Sequence, residues 1–242
     1  MTAAGAGPGE GLVIVEIDDE RTTLGESAIR LVAETFDRGD RHAIEELKGE
    51  IAEKRYGLLA PFDFHLVGAC TGSQLVGAIM GSYLAGVNAG LIVYLAVQPD
   101  HRGGGAGRIL RSRLVSLFRE SARAAGKDDV SWVLGEVRYE NPWLRRLVRT
   151  RGAIPFDLEY YHPGMRPGMK IGRYVLYRQP FDDPRPELPV ELVRRILYAI
   201  YRRAYRVRYP LVHEGFMAMM TALEGREAVG FHPDFEEDAS SG

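Results

Sequence analysis

Apolar positions recur along this chain in two rhythms, one of period two and one of steps of three and four. Leu12-Val13-Ile14-Val15-Glu16-Ile17 is a short β-branched run closed by Asp18-Asp19-Glu20-Arg21, which predicts a first strand. From Leu24 to Phe36 and from Ala43 to Tyr56 the apolar residues (Ile29, Val32, Ala33, Phe36; Ile44, Leu47, Ile51) return every three or four positions between charges, predicting two amphipathic helices. Phe64 to Ala69 and Leu75 to Tyr83 are strand-like, and Thr71-Gly72-Ser73 between them is a link that closes an antiparallel hairpin. Leu91 to Val97 is apolar without interruption up to Gln98-Pro99-Asp100, the pattern of a central strand covered on both faces.

A long helix is predicted from near Gly104, with Leu110, Leu114, Leu117, Phe118 and Ala122 on one stripe and Gly126 as its stop. A strand follows over Val130 to Val137. Asn141-Pro142 then opens a short helix as an N-cap and first-turn proline, and Gly152 ends it. Ala153 to Leu158 and Tyr174 to Arg178 predict two more strands around a loop rich in Tyr, His, Pro and Gly. The proline-rich stretch Pro180 to Pro189 reads as a boundary. Beyond it, Val193, Ile196, Leu197, Ile200, Tyr201 and Ala204 form one helical stripe, and Leu211 to Leu223 a second. This order predicts an α/β fold with a mixed sheet. Its expected parts are a flexible start over 1–11, a main domain over 12–180, a helical extension over 187–225 and a frayed acidic tail over 226–242.

Composition narrows the partners. With 242 residues, 45% of them hydrophobic, the chain can bury one large core. Its 31 Lys+Arg nearly balance 33 Asp+Glu, so no global field draws nucleic acid or anionic lipid. Cys70 is the sole cysteine, which leaves no internal disulfide and no thiolate zinc cage; the histidines are scattered, and no metal site is expected. No stretch approaches the roughly 18 apolar residues that span a bilayer. The reading is a cytoplasmic protein without a membrane or nucleic-acid partner.

The most informative segment is Val97-Gln98-Pro99-Asp100-His101-Arg102-Gly103-Gly104-Gly105-Ala106-Gly107-Arg108, between the buried strand and the long helix. Four glycines let a ligand approach the main chain, and the first N–H groups of the helix are unpaired and lie at the positive end of its dipole. Such a turn is an anion cradle suited to phosphate or pyrophosphate. A P-loop would require Gly-Lys-Ser/Thr, but Arg108-Ile109 follows Gly107; the dinucleotide pattern G-x-G-x-x-G meets Arg108 or Leu110 where it needs glycine. Val97, Pro99, Arg102, Gly105 and Gly107 instead fill every position of a motif that resembles motif A of the GCN5-related N-acetyltransferase (GNAT) superfamily.

That resemblance extends over the element order from Leu12 to Arg178. It implies a mixed, mostly antiparallel sheet flanked by helices, with a C-terminal helical extension. It also implies that main-chain N–H groups of Arg102, Gly103, Gly104, Gly105, Ala106, Gly107 and Arg108 hold the pyrophosphate of acetyl-CoA, while those of Leu95, Ala96 and Val97 polarise the acyl carbonyl. Asn141 and Gly152 match the superfamily's second landmark, where Asn141 either only caps its helix or also touches the pantetheine arm. The implied activity is N-acetylation of an amine, on a small molecule or a peptide, by direct attack in a ternary complex. A longer acyl-CoA, a non-catalytic acyl-CoA-binding or regulatory module, and a self-associating protein or homodimer joined through the C-terminal helices are the competing readings.

Two departures bear on mechanism. Val148 stands where many members carry a tyrosine that protonates the leaving thiolate, and Val93-Tyr94 replaces the usual upstream acid. Alternation over Val130 to Val137 puts Trp132, Leu134 and Glu136 on one face. Glu136 is therefore the candidate base with a raised pKa, or else lies past the strand end and pairs with Arg138 or another arginine. Tyr94 and Tyr139 are the phenols that could replace the absent acid, or simply packing residues. In the loop Glu159 to Pro167, Tyr160, Tyr161, His162 and Arg166 are candidate acceptor-pocket residues. The arginines at 194, 195, 202, 203, 206 and 208 predict a solvated face neutralised by the acidic tail, or else an electropositive lid over the acceptor site or a partner surface, and Cys70 a small buried thiol.

Overall fold

A computed structural model describes residues 11–36, 44–164 and 173–239. The expected flexible start, except Gly11, and Arg166 of the proposed acceptor pocket lie outside the described residues.

Seven strands build one sheet: β1 (Leu12–Glu16), β2 (Asp63–Thr71), β3 (Gln74–Leu84), β4 (Ala89–Val97), β5 (Trp132–Arg138), β6 (Ile154–Pro155) and β7 (Tyr174–Pro180). Their order is β1-β2-β3-β4-β5-β7-β6. β1 runs antiparallel to β2, with Leu12 opposite Thr71 and Glu16 opposite Val67. β7 runs antiparallel to both β5 and β6. β3 is buried from Leu75 to Leu84, and strands enclosed on both faces read as unbroken apolar runs. That is why the hairpin was visible in the sequence.

The chain divides into two compact units: residues up to Ser82 with Ile92–Ser121, and Tyr83–Leu91 with everything from Ala122 onward. In the first, α1 (Thr23–Thr35) begins where the Thr22 hydroxyl accepts the Gly25 N–H at 3.0 Å. The apolar stripes of α1 and α2 (Ile44–Arg55) meet β2 and β4 in a core containing Ile29, Val32, Leu47, Ile51, Phe64, Leu66, Tyr94 and Ala96. The long helix α3 (Ala106–Ala124) follows β4.

In the second unit, α4 (Pro142–Arg151) starts at the Asn141 cap and stops at Gly152, whose left-handed φ of 60° ends the helix. Gly135 on β5 has no side chain because the Tyr177 hydroxyl occupies the place of a Cβ. Next come β8 (Leu188–Pro189), α5 (Val190–Ala199), a π turn over Ile200–Ala204, α6 (Glu214–Ala222), β9 (Ala228–Val229) and α7 (Glu236–Ala239).

The extension expected over 187–225 falls in the same compact unit as β5 and β7. Two expectations need correction. The strand expected over Ala153 to Leu158 keeps only Ile154–Pro155 in the ladder, and Phe156 instead bridges to Phe231. The acidic tail is folded through Ala239. Phe235 is fully buried beside Leu144 and Leu147, and Asp238 accepts from Arg145 at 2.6 Å and Arg149 at 2.8 Å. Burial of Phe235 brings Asp238 to α4, which supplies its counter-ions.

Candidate active site

In the first unit, β4 ends at Val97 and the chain turns through Pro99–His101 into α3. Gln98 fixes the turn: its N–H donates to Val76 O at 2.9 Å and its side-chain amide to Leu75 O at 2.7 Å. The Arg102 Nε donates to Val97 O at 3.1 Å, which points that guanidinium back along the strand. Gly103 and Gly105 have φ of 82° and 86°, where an L side chain is strained. The first N–H to bond back is that of Arg108, to Gly105 O at 3.0 Å. Among the described residues, the N–H groups of Gly103, Gly104, Gly105, Ala106 and Gly107 make no main-chain hydrogen bond. A Cβ on Gly107 would lie 3.7 Å from Leu95 and 3.8 Å from Val97, so that glycine opens its helix face to the strand. Five free donors, positive φ and a helix dipole fit the diphosphate of a nucleotide cofactor.

In the second unit, β5 carries Glu136 into a set of phenols and a histidine. Its side chain is 5% exposed, although the residue's main chain is more open. The Tyr205 hydroxyl donates to Glu136 Oε2 at 3.2 Å. Oε1 is buried and has no partner among the described residues, as is the Tyr160 hydroxyl. Burial pushes the Glu136 carboxyl up to about 8, while the nearby hydroxyls of Tyr160 and Tyr205 work in the opposite direction. Tyr160 thus influences the carboxyl without reaching hydrogen-bond geometry. Its own pKa is raised well above that of a free phenol, chiefly by burial.

His162 completes this group. Its Nδ1 accepts the Gly164 N–H at 3.2 Å, which assigns the proton to Nε2, 3.8 Å from Glu136 Oε2. That is too long for a hydrogen bond. The imidazole ring lies edge-on to Tyr205 at 4.8 Å and close to Tyr174 at 5.2 Å. Arg138 stacks on the Tyr174 ring at 5.8 Å.

The remaining candidates are placed elsewhere. Tyr94 is 2% exposed, with its ring 5.0 Å from Phe36. It shares a strand face with Ala96, opposite to Leu95 and Val97, which approach Gly107. Strand parity therefore makes it a core residue. Tyr139 donates to Asp234 at 2.8 Å and packs edge-on to Phe235, so the folded tail claims its hydroxyl. Tyr161 contributes its carbonyl, which accepts from Tyr201, and its side chain is no part of the Glu136 group. Asn141 Oδ1 caps α4 through Trp143 N at 3.0 Å. Val148 is buried with Leu144, Leu147 and Phe235. Sequence reading took Tyr201 only as part of a helical stripe and missed Tyr205, which sits in no local motif. Among the described residues no group of acids, histidines or cysteines is arranged to hold a metal, and no helix is long and apolar enough to cross a membrane.

The profile of the Acetyltransferase (GNAT) family matches residues 27–153, just over half of the chain. A solved acetyltransferase candidate from Acinetobacter baylyi ADP1 aligns at TM-score 0.50 and 19% identity, over 72% of this chain and 94% of its own. The ribosomal-protein-S18-alanine N-acetyltransferase of Escherichia coli aligns at 0.49 and 13% identity over 70% and 93%. The PaiA N-acetyltransferase of Thermoplasma acidophilum, solved in complex with coenzyme A, aligns at 0.46 and 14% over 70% and 99%. No curated protein matches the chain.

Proposed function

The chain belongs to the GNAT acetyltransferase family, and from that premise we propose that it transfers an acetyl group from acetyl-CoA to the amine of a small-molecule or peptide acceptor. The observation that carries this reading is the run of unbonded N–H groups from Gly103 to Gly107 at the start of a 19-residue helix, directly after β4. Bound there, acetyl-CoA supplies an activated acyl carbon as its thioester.

The chain's own contribution is to hold the diphosphate and to accept a proton. The acceptor nitrogen forms a bond to the acyl carbon, the carbon–sulfur bond breaks, and the proton lost by nitrogen goes to Glu136 Oε1. With Val148 enclosed and Tyr94 and Tyr139 engaged, no phenol of the chain is assigned to the leaving thiolate, which takes its proton from water, and the hydroxide left behind takes the proton from Glu136 and resets the carboxylate. A carboxyl with its pKa near 8 is matched to receiving a proton from an amine.

Val148 also favours a second reading, a module that binds acyl-CoA without turning it over. Calorimetric titration with acetyl-CoA, free CoA and a longer acyl-CoA, followed by thioester consumption over an amine panel, separates the two. Saturable binding with turnover supports the enzyme, and binding without turnover on any amine supports the module. Absence of binding to all three overturns both.

A further inference from the structure

The residues around Glu136 come from a part of the chain that the family match does not reach. That match ends at residue 153, whereas Tyr160, His162, Tyr174, Tyr201 and Tyr205 all follow it. We propose that the C-terminal segment is a working part of the acyl-transfer site, in which Tyr205 is a positioning residue that holds Glu136 by Oε2 and leaves Oε1 to meet the acceptor. This rests on Glu136 being the proton acceptor.

The segment is tied to the Glu136 group at three points. Tyr205 donates to Oε2 at 3.2 Å and packs against the His162 ring at 4.8 Å. Tyr201 donates to the carbonyl of Tyr161. His213 accepts the Phe216 N–H on Nδ1 at the start of α6, which leaves its proton on Nε2 to donate to Pro163 O at 2.9 Å. Tyr201, edge-on to both His213 and Phe216, locks the second and third ties to one another. Together they hold residues 161–163, including the ring that faces the carboxylate.

The backbone that presents Tyr205 is unusual. α5 widens into a π turn, and the Tyr205 N–H bonds five residues back to Ile200 O at 3.0 Å. Arg206 then takes a φ of 54°, a conformation that few residues other than glycine adopt. π turns inside helices recur at functional positions, and such backbone is kept only where its surroundings enforce it. Here the surroundings are the Tyr205–Glu136 bond and the Tyr201 anchor. A carboxylate fixed by one oxygen cannot rotate, so the buried, unpartnered Oε1 keeps a single direction.

Tyr205→Phe tests this by removing one oxygen and keeping the ring. The Glu136 carboxyl is followed by carbon-13 NMR titration in the full chain, and acylation is followed against pH. Loss of a hydrogen bond that favours the carboxylate should raise the Glu136 pKa by about one unit. The rate at pH 7 should then fall about tenfold and recover at high pH, with acetyl-CoA affinity unchanged. Tyr201→Phe should instead raise the acceptor KM and leave the Glu136 titration where it was. An unchanged Glu136 titration in Tyr205→Phe overturns the proposal. A wild-type protein that acylates no amine overturns the enzyme reading, yet the NMR titration still decides what Tyr205 does.

Discussion

Glu16 and Glu136 are both strand glutamates with most of the side chain out of water, one in each compact unit, and their surroundings drive them apart. Glu16 Oε1 lies 2.8 Å from both Lys54 Nζ and His65 Nδ1, and Arg113 approaches Oε2 at 3.8 Å. The His65 bond, then Lys54, hold its carboxyl down at about 2 against the pull of burial. Among the described residues Glu136 has phenols and a histidine beside it, the histidine Nε2 3.8 Å away, and burial takes it to about 8. Enclosure alone does not set the protonation of a carboxyl; the count of donors and positive charges that enter with it does. The first glutamate is arranged to stay ionised and brace β1 against α2 and β2, whereas the second is arranged to exchange a proton near neutrality.

The largest expected effect follows from that contrast and concerns stability at alkaline pH. Folded Glu136 keeps its proton to about pH 8, while the unfolded carboxyl loses it near the ordinary value of 4.5. Between those limits the folded state binds more protons, so stability falls as pH rises. Glu136→Gln removes that loss and should stabilise the protein at pH 9 by up to about 5 kcal/mol, with little change at pH 4, in urea melts at the two pH values. A variant no more stable than wild type at pH 9 would mean that the carboxyl is not held neutral.

In turnover the same substitution should cut acylation at least about 100-fold and abolish its rise toward pH 8, provided that Glu136 takes the proton. An unaltered pH profile removes it from that role.

The Glu16 side breaks in the other direction. His65 is 3% exposed; burial pulls its pKa down, but the hydrogen bonds it donates to Asp63 and Glu16 outweigh burial and hold the pKa above the usual value. His65→Ala should cost about 2 kcal/mol near pH 6 by removing the group that Glu16, Asp63 and Ser121 share. The sign of the wild-type pH dependence is twofold. Glu16 adds stability that is lost as pH falls toward 2, and His65 adds stability that is lost as pH rises through its raised pKa. Denaturation in His65→Ala should displace the acid limb to higher pH and lose the part of the alkaline fall that His65 contributes, leaving the part that Glu136 contributes. Retention of the whole alkaline fall would show that His65 contributes none of it.

The smallest effect compares two hydroxyls. Ser121 Oγ donates to Asp63 at 2.9 Å and lies 2.8 Å from His65, and its removal should cost about 1 kcal/mol. The Tyr160 hydroxyl is buried without a partner, so Tyr160→Phe should be neutral or stabilising in the same melt. A loss as large as that of Ser121→Ala would mean that Tyr160 is bonded in solution.

What could be read from the sequence was local. The glycine turn from Val97 to Arg108, the hairpin at Gly72 and the capped helix from Asn141 to Gly152 each carry their signal within a dozen residues. Glu136 could be set on the apolar face of its strand because alternation along one strand needs no knowledge of its neighbours. The same rule applied from the glycine turn would have placed Tyr94 in the core, since Leu95 and Val97 are the residues that face Gly107. Tyr205 was invisible for a physical reason: its partner is 69 residues away, and the π turn changes the helical period on which any stripe depends. The acidic tail misled in a similar way, because charge counting could not foresee that Phe235 would draw it onto α4.

That tail has a practical bearing on how the protein is handled. Proteolytic trimming before Pro233 would withdraw a phenylalanine from between Leu144 and Leu147, strip two arginines of their shared carboxylate and release the Tyr139 hydroxyl. A sticky apolar slot would open on α4. Samples nicked at this point should therefore lose solubility while their glycine turn still looks intact, and batch-to-batch differences in activity would trace to the last ten residues.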